Sequence, residues 1–124
     1  MAAVPYNTNL PRSTLGYTIP LTGGTTTGVT VGTSSIQVIG QSSSRRKITF
    51  HNPNIGTNAN IFVCQAVDAA GNALTAGDGL PGSIAIFPGA SLTFDGECGM
   101  AFKAIASAVG AGLTIIESQV PSQS

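Results

Sequence analysis

Three residues of this chain carry side chains that commonly do chemistry: His51, Cys64 and Cys98. His51 is the only histidine in 124 residues, so a Ser-His-Asp arrangement would have to use it. No Gly-x-Ser-x-Gly elbow accompanies it. It falls on the polar parity of an alternating run, next to Asn52, which is the place of a surface or capping histidine. Together with Cys64 and Cys98 it could offer three ligands to zinc. Their spacings match neither Cys-x-x-Cys nor His-x-x-x-His. Buried free thiols are the simpler reading of the two cysteines. A disulfide, between Cys64 and Cys98 or between chains, is the alternative.

The acidic residues do not form a catalytic pair. Asp95 and Glu97 are two apart, but Asp95-Gly96 is a hairpin turn signal that accounts for them. Gly77-Asp78-Gly79 and Gly23-Gly24 are not followed by Lys-Ser/Thr, so neither is a phosphate loop. No calcium-loop pattern surrounds Asp68 or Asp78. No cofactor, metal or enzymatic activity is expected. Arg45-Arg46-Lys47 is the densest charge in the chain and a candidate contact with an acidic neighbour. On a regular strand Arg46 would point opposite to Arg45 and Lys47.

The elements that must position these residues are strands. In Arg45 to Ala66, Ile48 and Phe50 alternate with Lys47, Thr49 and His51, the period of a half-buried strand. Asn52-Pro53-Asn54 and Gly56-Thr57-Asn58 then form a turn. Ile61-Phe62-Val63-Cys64 follows, apolar on both faces. Further strands are predicted around Val29–Val31, Ser35–Ile39, Ser83–Phe87, Ala90–Phe94, Met100–Ala106 and Leu113–Glu117. Pro88-Gly89 has the residue pair of a type II turn. The longest surface loop is predicted at Ala73 to Ser83. The alanines of 101–111 would suit a helix, but Gly99, Gly110 and Gly112 favour strand.

These signals predict an all-β fold: a single antiparallel β-sandwich, jelly-roll or immunoglobulin-like, of about seven to nine short strands. Residues 29–118 would form the sandwich and 119–124 a flexible tail. Residues 1–28 read as an extended arm, because Pro5, Pro11 and Pro20 exclude a helix. Apolar anchors are spaced along the arm, among them Tyr6, Leu10, Leu15, Tyr17 and Ile19, with Arg12 between them. Tyr17 to Leu21 could form a short edge strand.

Charged residues make up only 8% of the chain, against about 25% in typical proteins. Solubility must rest on uncharged polar side chains, or partners must cover the surface. Five cations balance five anions, too few for a broad face toward phosphate or an anionic membrane. No run approaches the ~18 apolar residues of a membrane span. The first residues have no charged, apolar leader pattern, so synthesis in a cytoplasm without export is expected. The absence of tryptophan counts against a carbohydrate-binding platform.

Arg46-x-Ile48-x-Phe50-x-Asn52, a polar turn and Ile61-Phe62-Val63 resemble a pattern in small β-sandwich virion proteins of tailed bacteriophages. Phe87-Pro88-Gly89-Ala90-Ser91-Leu92-Thr93-Phe94, Ala101 to Ala106 and Leu113 to Glu117 continue it, so the likeness covers about residues 45 to 117. It implies a non-enzymatic role in a virion, most closely that of a capsid decoration (cement) protein. Such proteins sit on the outside of an expanded capsid, often as trimers, and bridge subunits with extended arms. The expected partners are the major capsid protein or other virion proteins and further copies of the chain. Candidate contacts are Tyr6, Leu10, Arg12, Leu15, Tyr17, Ile19, Arg45, Arg46 and Lys47. A tail or head-tail accessory protein is the neighbouring expectation. A module binding glycan or a host receptor through Ala73 to Ser83 is the other.

Overall fold

A computed structural model of the chain describes residues 22–96 and 98–119. Their regular structure is eight strands with no helix: β1 Thr22–Val31, β2 Ile36–Ile39, β3 Arg45–His51, β4 Ile61–Gln65, β5 Ile84–Ile86, β6 Ser91–Asp95, β7 Phe102–Ala106 and β8 Ala111–Gln119. The ambiguous alanine stretch is therefore β7, a turn and the start of β8. Thr22 to Gly28, assigned above to the arm, lie in β1 and pair with β8. The sandwich thus starts earlier than the turn-like glycines suggested. A long neighbouring strand supplies their backbone partners, which propensity alone does not register.

The strands form two four-stranded sheets, β1-β8-β3-β6 and β2-β7-β4-β5. Strand β1 pairs with β8, β2 with β7, β3 with β6, and β4 with β5, all antiparallel. The chain is in effect one long hairpin, turning between β4 and β5 and wrapped into two layers. That is the jelly roll rather than the immunoglobulin order.

The inner faces carry the alternate residues that the period of two requires. Ile48, Phe50, Ile61, Val63, Phe102, Ala104, Leu113 and Ile115 are buried there. Phe50 packs edge-on against Phe102 at 5.0 Å and Phe94 at 6.3 Å between ring centroids. Such ring pairs contribute about 0.5–1.5 kcal/mol each beyond burial of area.

Successive strands run in opposite directions, so the connections collect at two ends. The 32–35, 52–60, 87–90 and 107–110 connections share one end, where Ala106 N–H reaches Gly32 O and Ser107 N–H reaches Asn60 O. The start of β1, the end of β8 and the β2–β3, β4–β5 and β6–β7 connections share the other. At the first end the Pro88-Gly89 turn forms as its residues predict. Ala90 N–H donates to Phe87 O at 2.9 Å, and Gly89 has φ +84°.

Candidate interaction surface

The two residues that hold the first loop end together are Asn52 and Asn54. Asn52 is fully buried. Its Nδ2 donates to Ala59 O at 2.8 Å and Ile86 O at 2.7 Å. Its Oδ1 accepts from the Asn54 backbone N–H and Nδ2. Asn54 continues the network, donating to Gly112 O and accepting from Gly112 N–H. Backbone bonds from Asn52 N–H to Ala90 O and from Gly89 N–H to Asn52 O complete it. The 52–60 and 87–90 connections and the start of β8 are thereby fixed to one another through a side-chain network whose buried groups are bonded. The 107–110 connection is tied to the first of them separately, by Ser107 N–H on Asn60 O and Asn60 N–H on Ser107 Oγ.

On these fixed loops stand three large apolar side chains that the core does not use. Ile55 is 71% exposed, Phe87 60% and Val109 86%. Each comes from a different connection: Ile55 from 52–60, Phe87 from 87–90 and Val109 from 107–110. A Cβ placed on Gly89 would lie 3.7 Å from Ile55, so Ile55 leans on the turn that carries Phe87. Sequence reading singled out none of the three as a contact. It placed Phe87 at the end of the Ser83–Phe87 strand, whereas β5 stops at Ile86, and Ile55 and Val109 stand beside turn residues. Their convergence depends on the strand pairing.

The basic cluster divides. Arg45 is only 1% exposed. Its Nε lies 2.8 Å from Glu117 Oε2, Nη1 donates to Cys98 O and Met100 O, and Nη2 to Gly40 O. Its guanidinium is engaged inside the domain, which removes it from the surface contacts expected above. The cause is a β-bulge. Arg45 pairs with Gln119 and Lys47 with Ser118, so two steps on β3 face one on β8. The bulge turns Arg45 inward and leaves Arg46 and Lys47 both exposed. Arg46 donates to Ser43 O and Arg45 O. Tyr6, Leu10, Arg12, Leu15, Tyr17 and Ile19 lie outside the described residues, as do residues 120–124 and Glu97.

His51, Cys64 and Cys98 do not come together. His51 is on the outer face of β3, where its Nδ1 meets Ser91 Oγ at 2.8 Å across the pair with β6. Cys98 belongs to the core between the sheets. Cys64 alternates with the core residues Ile61 and Val63 and pairs with Lys103, so it faces away from the core. Sheet β2-β7-β4-β5 separates the two sulfurs, and both are buried free thiols, so the intrachain disulfide considered above is not formed. Burial pushes both thiols above their ordinary pKa. Lys103 and Ser83 partly offset this at Cys64, and Arg45 at Cys98. Among the described residues no three His, Cys, Asp or Glu side chains gather as a metal site.

The outer face of sheet β1-β8-β3-β6 is hydroxyl-rich. Thr49 and Thr93 hydrogen-bond across β3 and β6 at 3.0 Å, in register with exposed Ile116 of β8. Asp68 organises the β4–β5 loop: its Oδ1 accepts the Ala70 and Asn72 N–H groups. The Asn72 N–H and its companions hold the Asp68 carboxyl below the usual carboxylate range.

No protein-family model matches this chain, and no curated protein or solved structure is significantly similar to it. The functional reading therefore rests on the surfaces just described.

Proposed function

We propose that this chain is a non-enzymatic structural protein of a virion, a decoration (cement) protein on the capsid exterior. It binds as a homo-oligomer, with a trimer favoured, and contacts the major capsid protein or other virion proteins through its loop end, N-terminal segment and sandwich edges. The observation that carries this reading is the rim of Ile55, Phe87 and Val109, exposed at one end of the sandwich on loops held by Asn52, Asn54 and the Asn60–Ser107 bonds. Grouped exposed apolar side chains mark interaction sites. A pre-bonded loop end loses little conformational entropy on docking. The low charge of the chain suits a surface that partners cover. Jelly rolls serve viral capsids, lectins and cupins alike, so the fold is compatible with this role without selecting it.

The test is cosedimentation with virions purified from the source of the sequence. The unaltered chain pellets with the particles. A variant with Ile55→Ser, Phe87→Ser and Val109→Ser stays in the supernatant while keeping its thermal transition. A chain lacking residues 1–21, which leaves β1 whole, binds more weakly. If the unaltered chain also stays in the supernatant, the virion reading fails. Labelling of the bound protein on imaged particles separates capsid from tail or head-tail attachment.

A further inference from the structure

Between edge strands β5 and β6, beneath the β4–β5 loop, the two sheets part around a cavity of about 310 Å³. Its walls are chiefly apolar, from Val63, Leu74, Ile84 and Phe94. Phe94 also packs on Phe102 at 5.3 Å between ring centroids, so the aromatic core holds this wall in place. Ile84 lies opposite Val63 in the β4–β5 pair and is 43% exposed, so the cavity meets solvent along this edge. The volume lies at the lower end of ligand pockets, which run from about 300 to 1,000 Å³. That size suits an occupant of one ring and a short chain.

One charge faces this space. Asp68 is the only charged residue among the described residues that line it. Its Oδ1 accepts the Ala70 and Asn72 N–H groups, each at 2.9 Å. Its Oδ2 meets only the Asn72 side-chain amide, at 3.5 Å, and so keeps acceptor capacity. The backbone donors hold the carboxyl below its usual range, which keeps it ionised at neutral pH. Among the described residues the one ion pair is Arg45–Glu117, so no Lys or Arg there neutralises Asp68. Lys103, on the outer face of the β2-β7-β4-β5 sheet, donates instead to Leu74 O at 2.8 Å.

An apolar cavity beside an unpaired carboxylate selects an occupant with two parts. The body must be apolar, and an aromatic ring matches the Phe94 wall in an offset or edge-on contact. The tip must be a donor, and a cationic one is favoured. A hydrogen bond to a carboxylate from an ammonium is roughly twice as strong as one between neutral groups. An anionic tip would place like charges together.

We propose that this cavity is a binding site for small aromatic amines in their ammonium form, the ring lying between Phe94 and Ile84 and the ammonium donating to Asp68 Oδ2. This inference does not depend on the virion reading.

Titration of the full chain with phenethylamine, followed by methyl and amide NMR, tests it. Saturable shifts are expected at the Ile84 and Leu74 methyls and the Ala70 and Asn72 amides, with the Leu113 methyls in place. Phenethyl alcohol, of the same shape without the charge, should bind about three- to tenfold more weakly. Butylamine, with the charge but no ring, should also bind more weakly, and hydrocinnamate should leave these signals unmoved. Asp68→Asn keeps an Oδ1 for the Ala70 and Asn72 N–H groups, so its thermal transition should match wild type. Its affinity for phenethylamine should fall to that for the alcohol. Absence of saturable shifts overturns the proposal. So does equal affinity for amine, alcohol and hydrocinnamate, which would make the cavity indifferent to charge. Butylamine binding as well as phenethylamine overturns it too, because Asp68 alone would then attract the cation. An Asp68→Asn variant that is folded and binds phenethylamine unchanged has the same force. If that variant does not fold, the comparison of ligands on the unaltered chain decides.

Discussion

Arg45 and Glu117, 72 positions apart in the chain, meet inside the sandwich with Nε 2.8 Å from Oε2. The pair ties the start of β3 to the end of β8, and the remaining guanidinium donors hold three carbonyls from the β2–β3 and β6–β7 connections. Breaking a buried pair by removing one partner costs about 3–5 kcal/mol, because the other charge is left without compensation. Arg45→Ala should lower stability by that amount in urea denaturation. Arg45→Met combined with Glu117→Leu should cost much less, because no charge is then left behind. Equal losses in the single and double variants would show that the charge pairing is not what matters here.

The Asn52 network predicts an order between two substitutions. Asn52→Ala removes the two hydrogen bonds that Nδ2 donates and the two that Oδ1 accepts, and leaves Ala59 O and Ile86 O without their side-chain partner, a cost of about 1–3 kcal/mol. Asn52→Asp keeps the shape but points a carboxylate oxygen at those two carbonyls in a buried site, so it should cost more than alanine. Denaturation midpoints of the two variants give the comparison. An aspartate variant as stable as wild type would contradict the assigned amide orientation.

The thiols make stability depend on alkaline pH. Burial raises the folded-state pKa of Cys64 and Cys98, so the folded protein holds them neutral. In the unfolded chain they ionise near their ordinary value of about 8.5. Their contribution is therefore complete below that pH and declines as pH rises toward the folded-state values. Wild type should lose more stability between pH 7 and pH 10 than a Cys64→Ala, Cys98→Ala variant. At neutral pH neither thiol should react with iodoacetamide until the domain unfolds. Rapid labelling of the native protein would contradict the burial of both.

Two glycines should respond with opposite sign. A Cβ on Gly99 would lie 2.4 Å from Ser42 O, a backbone atom whose residue donates its own N–H to Gly99 O. Gly99→Ala must push the two connections apart and should destabilise by about 1–3 kcal/mol. Gly28 in β1 has no atom within 4 Å of such a Cβ and no positive φ. Gly28→Ala should stabilise by about 0.5–1 kcal/mol, because alanine loses less entropy in a strand. Thermal unfolding of both variants beside wild type measures the difference.

The all-β class, the positions of the strands from Ile36 onward and the Pro88-Gly89 turn were legible in the residues themselves. The signals are local. Alternation of Ile48 and Phe50 with Thr49 and His51 sets which face is buried, and a proline-glycine pair sets its own turn geometry whatever surrounds it. The same period puts Ile61 and Val63 on one face of β4, but that run is apolar on both faces, so which face is inward came from the sheet packing. Low charge and the lack of any catalytic spacing were equally plain from composition.

Only the tertiary structure decided what depends on partners far along the chain. The pairing of β1 with β8 moved Thr22 to Gly28 from the end of the expected arm into strand. The bulge opposite Gln119 and Ser118 took Arg45 out of a surface cluster and buried it against Glu117, a shift of one residue that no local pattern encodes. Sheet placement set Cys64 and Cys98 on opposite sides of one layer. The hairpin of strands wrapped into a jelly roll brought Ile55, Phe87 and Val109 to one end and left the cavity at the other, between β5 and β6. Residue type decides whether a side chain seeks water or a core. Long-range backbone pairing decides which neighbours it meets there.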